Sequence, residues 1–284
     1  MGISKLVVPG GRIAVEDRGE GPVVVCSPAM GDVRDAYEPL VEALVSQGFR
    51  VVTADLRGHG DSDASFETYG DEATAEDLIA LIEHLGAGPV VLVGASMSAA
   101  SAVIVAGRRP DLVRALVLVS PFLRGPVGLL ARCAMRLALR LLLVRPWGPW
   151  VWQTYSAGLW PGLPDARGRA ARLTALARRP GYWRAFRLTA RTDHRVVEPW
   201  LDRVDCPALV VMGAQDPDWA DPAAEASWAA DAIGAKDRAV EVLMVPRAGH
   251  APMLENPQPV SSAVIELAQN AVTGTRRTRC HEQD

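Results

Sequence analysis

The sequence predicts an α/β fold, a mostly parallel doubly wound sheet with a helical insertion, and three observations lead there. The run Val90-Val91-Leu92-Val93 is apolar without alternation, which suits a strand covered on both faces rather than one with a wet side. Short strand-like and helix-like stretches alternate over residues 1–120, the pattern of right-handed βαβ crossovers and a parallel sheet. At Pro121 the composition turns abruptly to arginine and tryptophan, and after Val196 the strand pattern returns.

In chain order, residues 12–17 and 22–26 read as strands bracketing Gly19-Glu20-Gly21, and the second runs into the loop Ser27-Pro28-Ala29-Met30-Gly31-Asp32. Residues 37–47 read as a helix stopped by Gly48, and 50–54 as the next strand. A polar, glycine-rich loop follows at 55–62, then an amphipathic helix over 72–85 that ends at Gly86. The buried strand at Val90 breaks at Gly94, presents Ser96 and resumes as a helix of small residues; 114–120 is a further strand. Beyond the insertion come a strand at 208–213, a helix at 222–233, a strand at 239–245 and a closing helix at 257–271. The domain reading is therefore a core made of 1–120 and 197–272, a helical cap over 121–196, and a tail, 273–284, expected to be disordered.

With 284 residues and 49% apolar content the chain has enough material for one sizeable core. A net charge of −3 gives no reason to expect nucleic acid as a partner. Cys26, Cys133, Cys206 and Cys280 show no C-x-x-C spacing, so neither a zinc site nor a disulfide framework is indicated; no metal and no cofactor are expected. The N-terminal residues lack a signal-peptide pattern and no stretch has the length of a membrane span, so the expected location is cytoplasmic. The insertion is the outlier. It holds fourteen arginines and no lysine against Asp165 and Asp193, a balance of +12 that leaves −15 for the remainder.

Gly94-Ala95-Ser96-Met97-Ser98 is close to the G-x-S-x-G nucleophile elbow, in which a sharp strand-to-helix turn lifts the serine above the sheet; Ser98 stands where a second glycine is expected. Asp216 follows the strand 208–213, and His250 follows the strand 239–245. In a parallel sheet these positions share the carboxyl edge with Ser96. Serine needs a base within hydrogen-bond reach and a carboxylate to orient that base, and all three types occur in the order serine, acid, histidine. Asp218 is the competing acid, but the G-x-x-D spacing favours Asp216.

On these residues the chain resembles the α/β-hydrolase fold superfamily, in its capped serine esterase and lipase-like group, over residues 11–271. Asp55-Leu56-Arg57-Gly58-His59-Gly60-Asp61-Ser62 is similar to the family's D-x-R-G-x-G-x-S loop, and Gly249-His250 with Glu255 and Pro257 to its G-H-x-x-x-x-E-x-P. Serine rather than aspartate at position 96 argues against the haloalkane dehalogenase and epoxide hydrolase branches. The family's H-G-x-x-G aligns with Ser27-Pro28-Ala29-Met30-Gly31, which implies an oxyanion hole from the backbone N–H groups of Ala29 and Met97, or of Met30 after a one-residue slip.

The resemblance implies a serine hydrolase with catalytic Ser96, Asp216 and His250, acting on a carboxylic ester, thioester or lactone through an acyl-enzyme. An acyltransferase or cyclase on the same triad, or a non-catalytic ligand-binding protein, are the alternatives. The expected partner is a small hydrophobic acyl substrate, held under the cap by Met30, Trp147, Trp150, Trp152 and Trp183. Oligomeric state stays open. Arg132, Arg136 and Arg140 recur every four residues, one row of a helix otherwise rich in leucine. Three roles fit that row: pairing with the acidic remainder, which is favoured; resting on anionic lipid; or gathering acidic substrates.

Overall fold

The computed structural model describes residues 2–125, 128–233 and 240–274. Its sheet contains β1 (Ser4–Val8), β2 (Gly11–Arg18), β3 (Val23–Ser27), β4 (Arg50–Ala54), β5 (Val90–Ala95), β6 (Val113–Val119), β7 (Ala208–Gly213) and β8 (Glu241–Val245), in the order β1-β2-β4-β3-β5-β6-β7-β8. The β1–β2 and β2–β4 pairings are antiparallel and all others parallel. The helices are α1 (Glu38–Ser46), α2 (Asp71–Leu85), α3 (Met97–Arg108), α4 (Leu129–Leu142), α5 (Gly148–Gly158), α6 (Ala166–Ala177), α7 (Tyr182–Thr189), α8 (Glu198–Leu201), α9 (Pro222–Ile233), α10 (Pro252–Glu255) and α11 (Pro257–Thr273).

Strand β5 shows why a run without polar alternation is needed. Successive side chains leave a strand on opposite faces. Val90 and Leu92 enter a core with Leu78 and Ile82 of α2 and Ala229 of α9, while Val91 and Val93 enter a second core with Leu40 and Leu44 of α1 and Val264 of α11. Both faces are dry, so both alternating sets must be apolar.

Three local differences from the sequence reading have physical causes. Strand β1 has no counterpart in the sequence reading: it is an edge strand in which only Val8 is buried and Val7 is 76% exposed, so it carries no amphipathic pattern. Helix α1 starts later than residue 37, after a 3₁₀ turn at Arg34–Tyr37, with Pro39 in its first turn. Ala239, the expected start of the last strand, and residues 275–284 of the expected tail lie outside the described residues.

Helices α4 to α7 lie between β6 and β7 and are anchored unequally. Trp152 of α5, Leu173 of α6 and Trp183 and Phe186 of α7 are buried in the second core. Helix α4 has no buried residue; Leu130 is 86% exposed, and Leu129, Leu137 and Leu141 are more than half exposed. The arginines divide in the same way. Arg169 bonds Asp32 and Asp35, Arg172 pairs with Asp35, and Arg124 pairs with Glu225, all acids of the remainder. In the α4 row, however, Arg136 reaches only Asp193, and Arg132 and Arg140 have no carboxylate partner among the described residues. No described helix is long and apolar enough to cross a membrane.

Candidate active site

Ser96 sits between β5 and α3 with φ 56°, a conformation that serine seldom adopts and that its surroundings enforce. Its N–H donates to Val119 O at 2.8 Å and its carbonyl accepts from Phe122 N at 3.3 Å. Gly94 is required by close approach: a Cβ there would lie 2.3 Å from Ser98 O. Met97 is the first residue of α3, so its N–H has no acceptor within the helix.

Ser98 and the Ser27-Pro28 loop, the two departures from the resembled pattern, meet in space. Ser98 is fully buried; its Oγ donates to Pro28 O at 2.6 Å and accepts from Ser27 Oγ at 3.0 Å. Tyr37 Oη donates to Ser27 O at 2.8 Å. The loop that presents Ala29 and Met30 is thereby tied to the start of α3 through the Ser98 hydroxyl, which a glycine at that position would lack.

His250 and Asp216 come together as the sequence order suggests. His250 Nδ1 lies 2.8 Å from Asp216 Oδ2 and 3.4 Å from Asp218 Oδ2, and both His250 and Asp216 are buried. Asp216 Oδ1 accepts from Asp218 N at 3.1 Å, and Asp218 itself accepts from the Tyr155 hydroxyl. His250 N donates to Leu159 O at 2.8 Å. Glu255 fixes the histidine loop by accepting from Gly162 N, Gly249 N and Ala251 N at 2.8, 2.9 and 3.0 Å. Burial opposes a charge on His250, but the carboxylates of Asp216, Asp218 and Glu255 outweigh it and push its pKa up to about 9. Asp216, Asp218 and His250 offer atoms within 4.8 Å of one another, close enough to share a cation; the hydrogen bonds just given already use them among themselves.

His59, by contrast, serves its own loop. It is buried, its Nδ1 faces Arg57 O at 3.1 Å, and burial lowers its pKa to about 4. Around it Arg57 forks onto Asp77, and Ser62 Oγ donates to Asp55 O while accepting from Ala14 N, so the D-x-R-G-x-G-x-S loop is architectural.

Ser96, Met97, Met30 and His250 line a cavity of about 710 Å³ whose other walls come largely from α4, α5 and the segments 122–125 and 189–194. Ala29 borders a small adjoining space together with Met30 and His250. Among the expected aromatic residues Trp152 lines the large cavity. Trp147, Trp150 and Trp183 do not, which corrects the expectation. Trp147 and Trp150 are 50% and 64% exposed on the outer side, and Trp147 Nε1 donates to Leu141 O. Trp183 is buried against Phe186 at 5.0 Å with its Nε1 on Leu143 O. The aromatic lining is instead Phe122, Tyr155, Trp152 and Trp219. Phe122 packs 5.8 Å from His250 and 4.7 Å from Trp219. A sequence signal existed for two of them: Phe122 and Trp219 lie just beyond the carboxyl ends of β6 and β7, where residues face the site.

Residues 23–263 match the model of a family described as the Alpha/beta hydrolase family. The chain is 30% identical over 210 residues to the (E)-2-((N-methylformamido)methylene)succinate hydrolase of Acinetobacter baylyi, covering 71% of this chain and 75% of that one. It is 37% identical over 109 residues to the 2-(acetamidomethylene)succinate hydrolase of Mesorhizobium japonicum, covering 38% of this chain and 39% of that one, well under two thirds of the relative's length. A solved thermophilic esterase from Thermogutta terrifontis, with malate bound, superimposes with a TM-score of 0.76 at 25% identity over 95% of this chain and 99% of that one.

Proposed function

The chain belongs to the alpha/beta hydrolase family, and from that premise we propose that it is a serine hydrolase cleaving a carboxylic ester, thioester or lactone through an acyl-enzyme on Ser96. The observation that carries this reading is the 2.8 Å contact between His250 Nδ1 and Asp216 Oδ2 beside a cavity that also holds Ser96 at a positive φ of 56°. A non-glycine residue at positive φ costs on the order of 1–3 kcal/mol, a strain that a merely sheltering protein has no use for.

In this mechanism Asp216 accepts the Nδ1–H of His250, leaving Nε2 to take the hydroxyl proton of Ser96 as Oγ bonds to the acyl carbon. The N–H groups of Met97 and Ala29 stabilise the oxyanion, and the Ser98 contact to Pro28 O holds the second donor's loop against the first. Collapse breaks the bond to the leaving alcohol or thiol, which takes the proton from His250. Water then loses a proton to Nε2 and attacks the acyl carbon; the acyl–Oγ bond breaks as Nε2 returns that proton to Ser96 Oγ, and the carboxylic acid is released. An acceptor alcohol in place of water would make the same acyl-enzyme a transferase. The apolar cavity under the cap favours medium or bulky acyl groups over acetate.

The test is hydrolysis of p-nitrophenyl acetate, butyrate and octanoate, a thioester and a lactone by the wild type and by Ser96→Ala. Turnover that rises with acyl length and is absent from the variant supports the reading; no turnover, or turnover kept by the variant, contradicts it.

A further inference from the structure

We infer that the helical side of the cavity holds an anion-binding site, formed by Arg132 of α4 and Arg191 beyond α7, that takes a carboxylate on an amphipathic acyl substrate. The inference rests on Ser96 and His250 being the reacting end of the same cavity. It begins with the charges that line that cavity, which include four arginines and two aspartates. Arg124 is held by Glu225 and lies over the Trp228 ring at 4.0 Å. Asp193 receives Arg136 at 3.2 Å and Arg195 at 2.5 Å, and Asp218 is held by Tyr155 and lies 3.4 Å from His250. Both aspartates of the lining are therefore committed. Arg132 and Arg191 remain with no carboxylate partner among the described residues.

The surroundings of Arg191 raise the gain from an incoming anion. Arg191 is partly buried, and burial together with the like charges of Arg187 and Arg140 lowers its pKa, a sign of positive charge gathered without compensation. His194 also lines the cavity. Its Nδ1 is fixed on Asp71 Oδ2 at 2.9 Å and its ring packs 5.6 Å from Phe122, so a further polar group is held against the same wall. Apolar groups such as Leu139, Leu142 and Val151 line the same cavity. The ligand that satisfies all three zones has an acyl carbonyl at the sheet edge, an aliphatic or aromatic body, and one anionic group at the arginines. A neutral lipid would leave both cations uncompensated.

The experiment separates this site from the chemistry by using Ser96→Ala protein, which binds without turnover, and two probes, monomethyl suberate and dimethyl suberate, titrated by calorimetry. The half ester should bind tighter than the diester. Replacing both arginines in Arg132→Gln/Arg191→Gln should cut that preference about tenfold, the scale of one lost charge-assisted hydrogen bond, and added salt should shrink it. Arg132→Lys/Arg191→Lys should keep most of it, which guards against loss of fold as the cause. Equal affinity for the two probes, or a preference that survives the glutamine pair, overturns the site. Wild-type turnover is scored apart: preferential binding with neither ester hydrolysed upholds the anion site and overturns the serine-hydrolase reading, whereas hydrolysis without preference does the reverse.

Discussion

The carboxyl edge of the sheet and helix α4 face each other across one cavity and are built on opposite terms. At the edge, position is set by backbone: Gly94 admits no side chain, Glu255 accepts three N–H groups, and Ser98 bridges to the Pro28 carbonyl. On α4 none of fourteen residues is buried, and two of its three row arginines have no acid to hold them among the described residues. The difference teaches where each kind of work can be done. Reacting groups need placement within a few tenths of an ångström, which only a packed, fully bonded backbone maintains. Selecting a substrate by charge and bulk tolerates a looser wall, and a looser wall can change without disturbing the chemistry.

Substitutions should respect that division. The largest effect is expected for Ser96→Ala and His250→Ala, each lowering kcat at least about ten-thousandfold in a continuous ester assay, because nucleophile and base act as one unit. Asp216→Asn should cost somewhat less, about a hundredfold to ten-thousandfold, with Asp218 at 3.4 Å left as a partial substitute. Its pH profile has a definite sign. In the proposed mechanism activity requires neutral His250, so kcat/KM should rise with pH through the histidine pKa. The nearby carboxylates raise that pKa, so the acid limb should lie above the ordinary value of about 6.5. Removing the Asp216 charge should move the limb to lower pH even as the plateau falls, whereas an unmoved limb would detach Asp216 from His250.

Smaller effects sharpen the comparison within each side. Ser98→Ala leaves the buried Pro28 carbonyl without this donor and the Ser27 hydroxyl without its acceptor, at a cost of about 1–3 kcal/mol in denaturant unfolding. If that contact positions the oxyanion donor, kcat should fall while KM stays near its wild-type value; a change in KM alone would make it a packing contact only. At the other extreme Leu130→Gln, on the outer side of α4, should alter stability by less than about 0.5 kcal/mol. A large loss there would show that α4 is held by contacts beyond those described.

The same division explains what was legible in the sequence. Strand β5 announced itself because both faces are dry, and Asp216 and His250 because each follows an apolar strand by a few residues. Such signals are local. The Ser98–Pro28 bond joins residues 70 apart, so neither stretch alone shows that the two departures meet. Tryptophans could be found by composition, but their direction could not: Trp150 points out and Trp152 in, two residues apart on one helix. On α4 the arginine row is legible as a face, but leucines lie on both the cavity side and the outer side, so the pattern does not tell that Arg132 lines a cavity.

The central claim, that Ser96 is the nucleophile activated by His250, is tested most directly by treating folded protein with a fluorophosphonate and mapping the modified peptide by mass spectrometry. The account predicts a single covalent adduct on Ser96, much slower in His250→Ala and absent in Ser96→Ala. Folded wild-type protein that stays unmodified at Ser96, or carries its adduct on another residue, would contradict it.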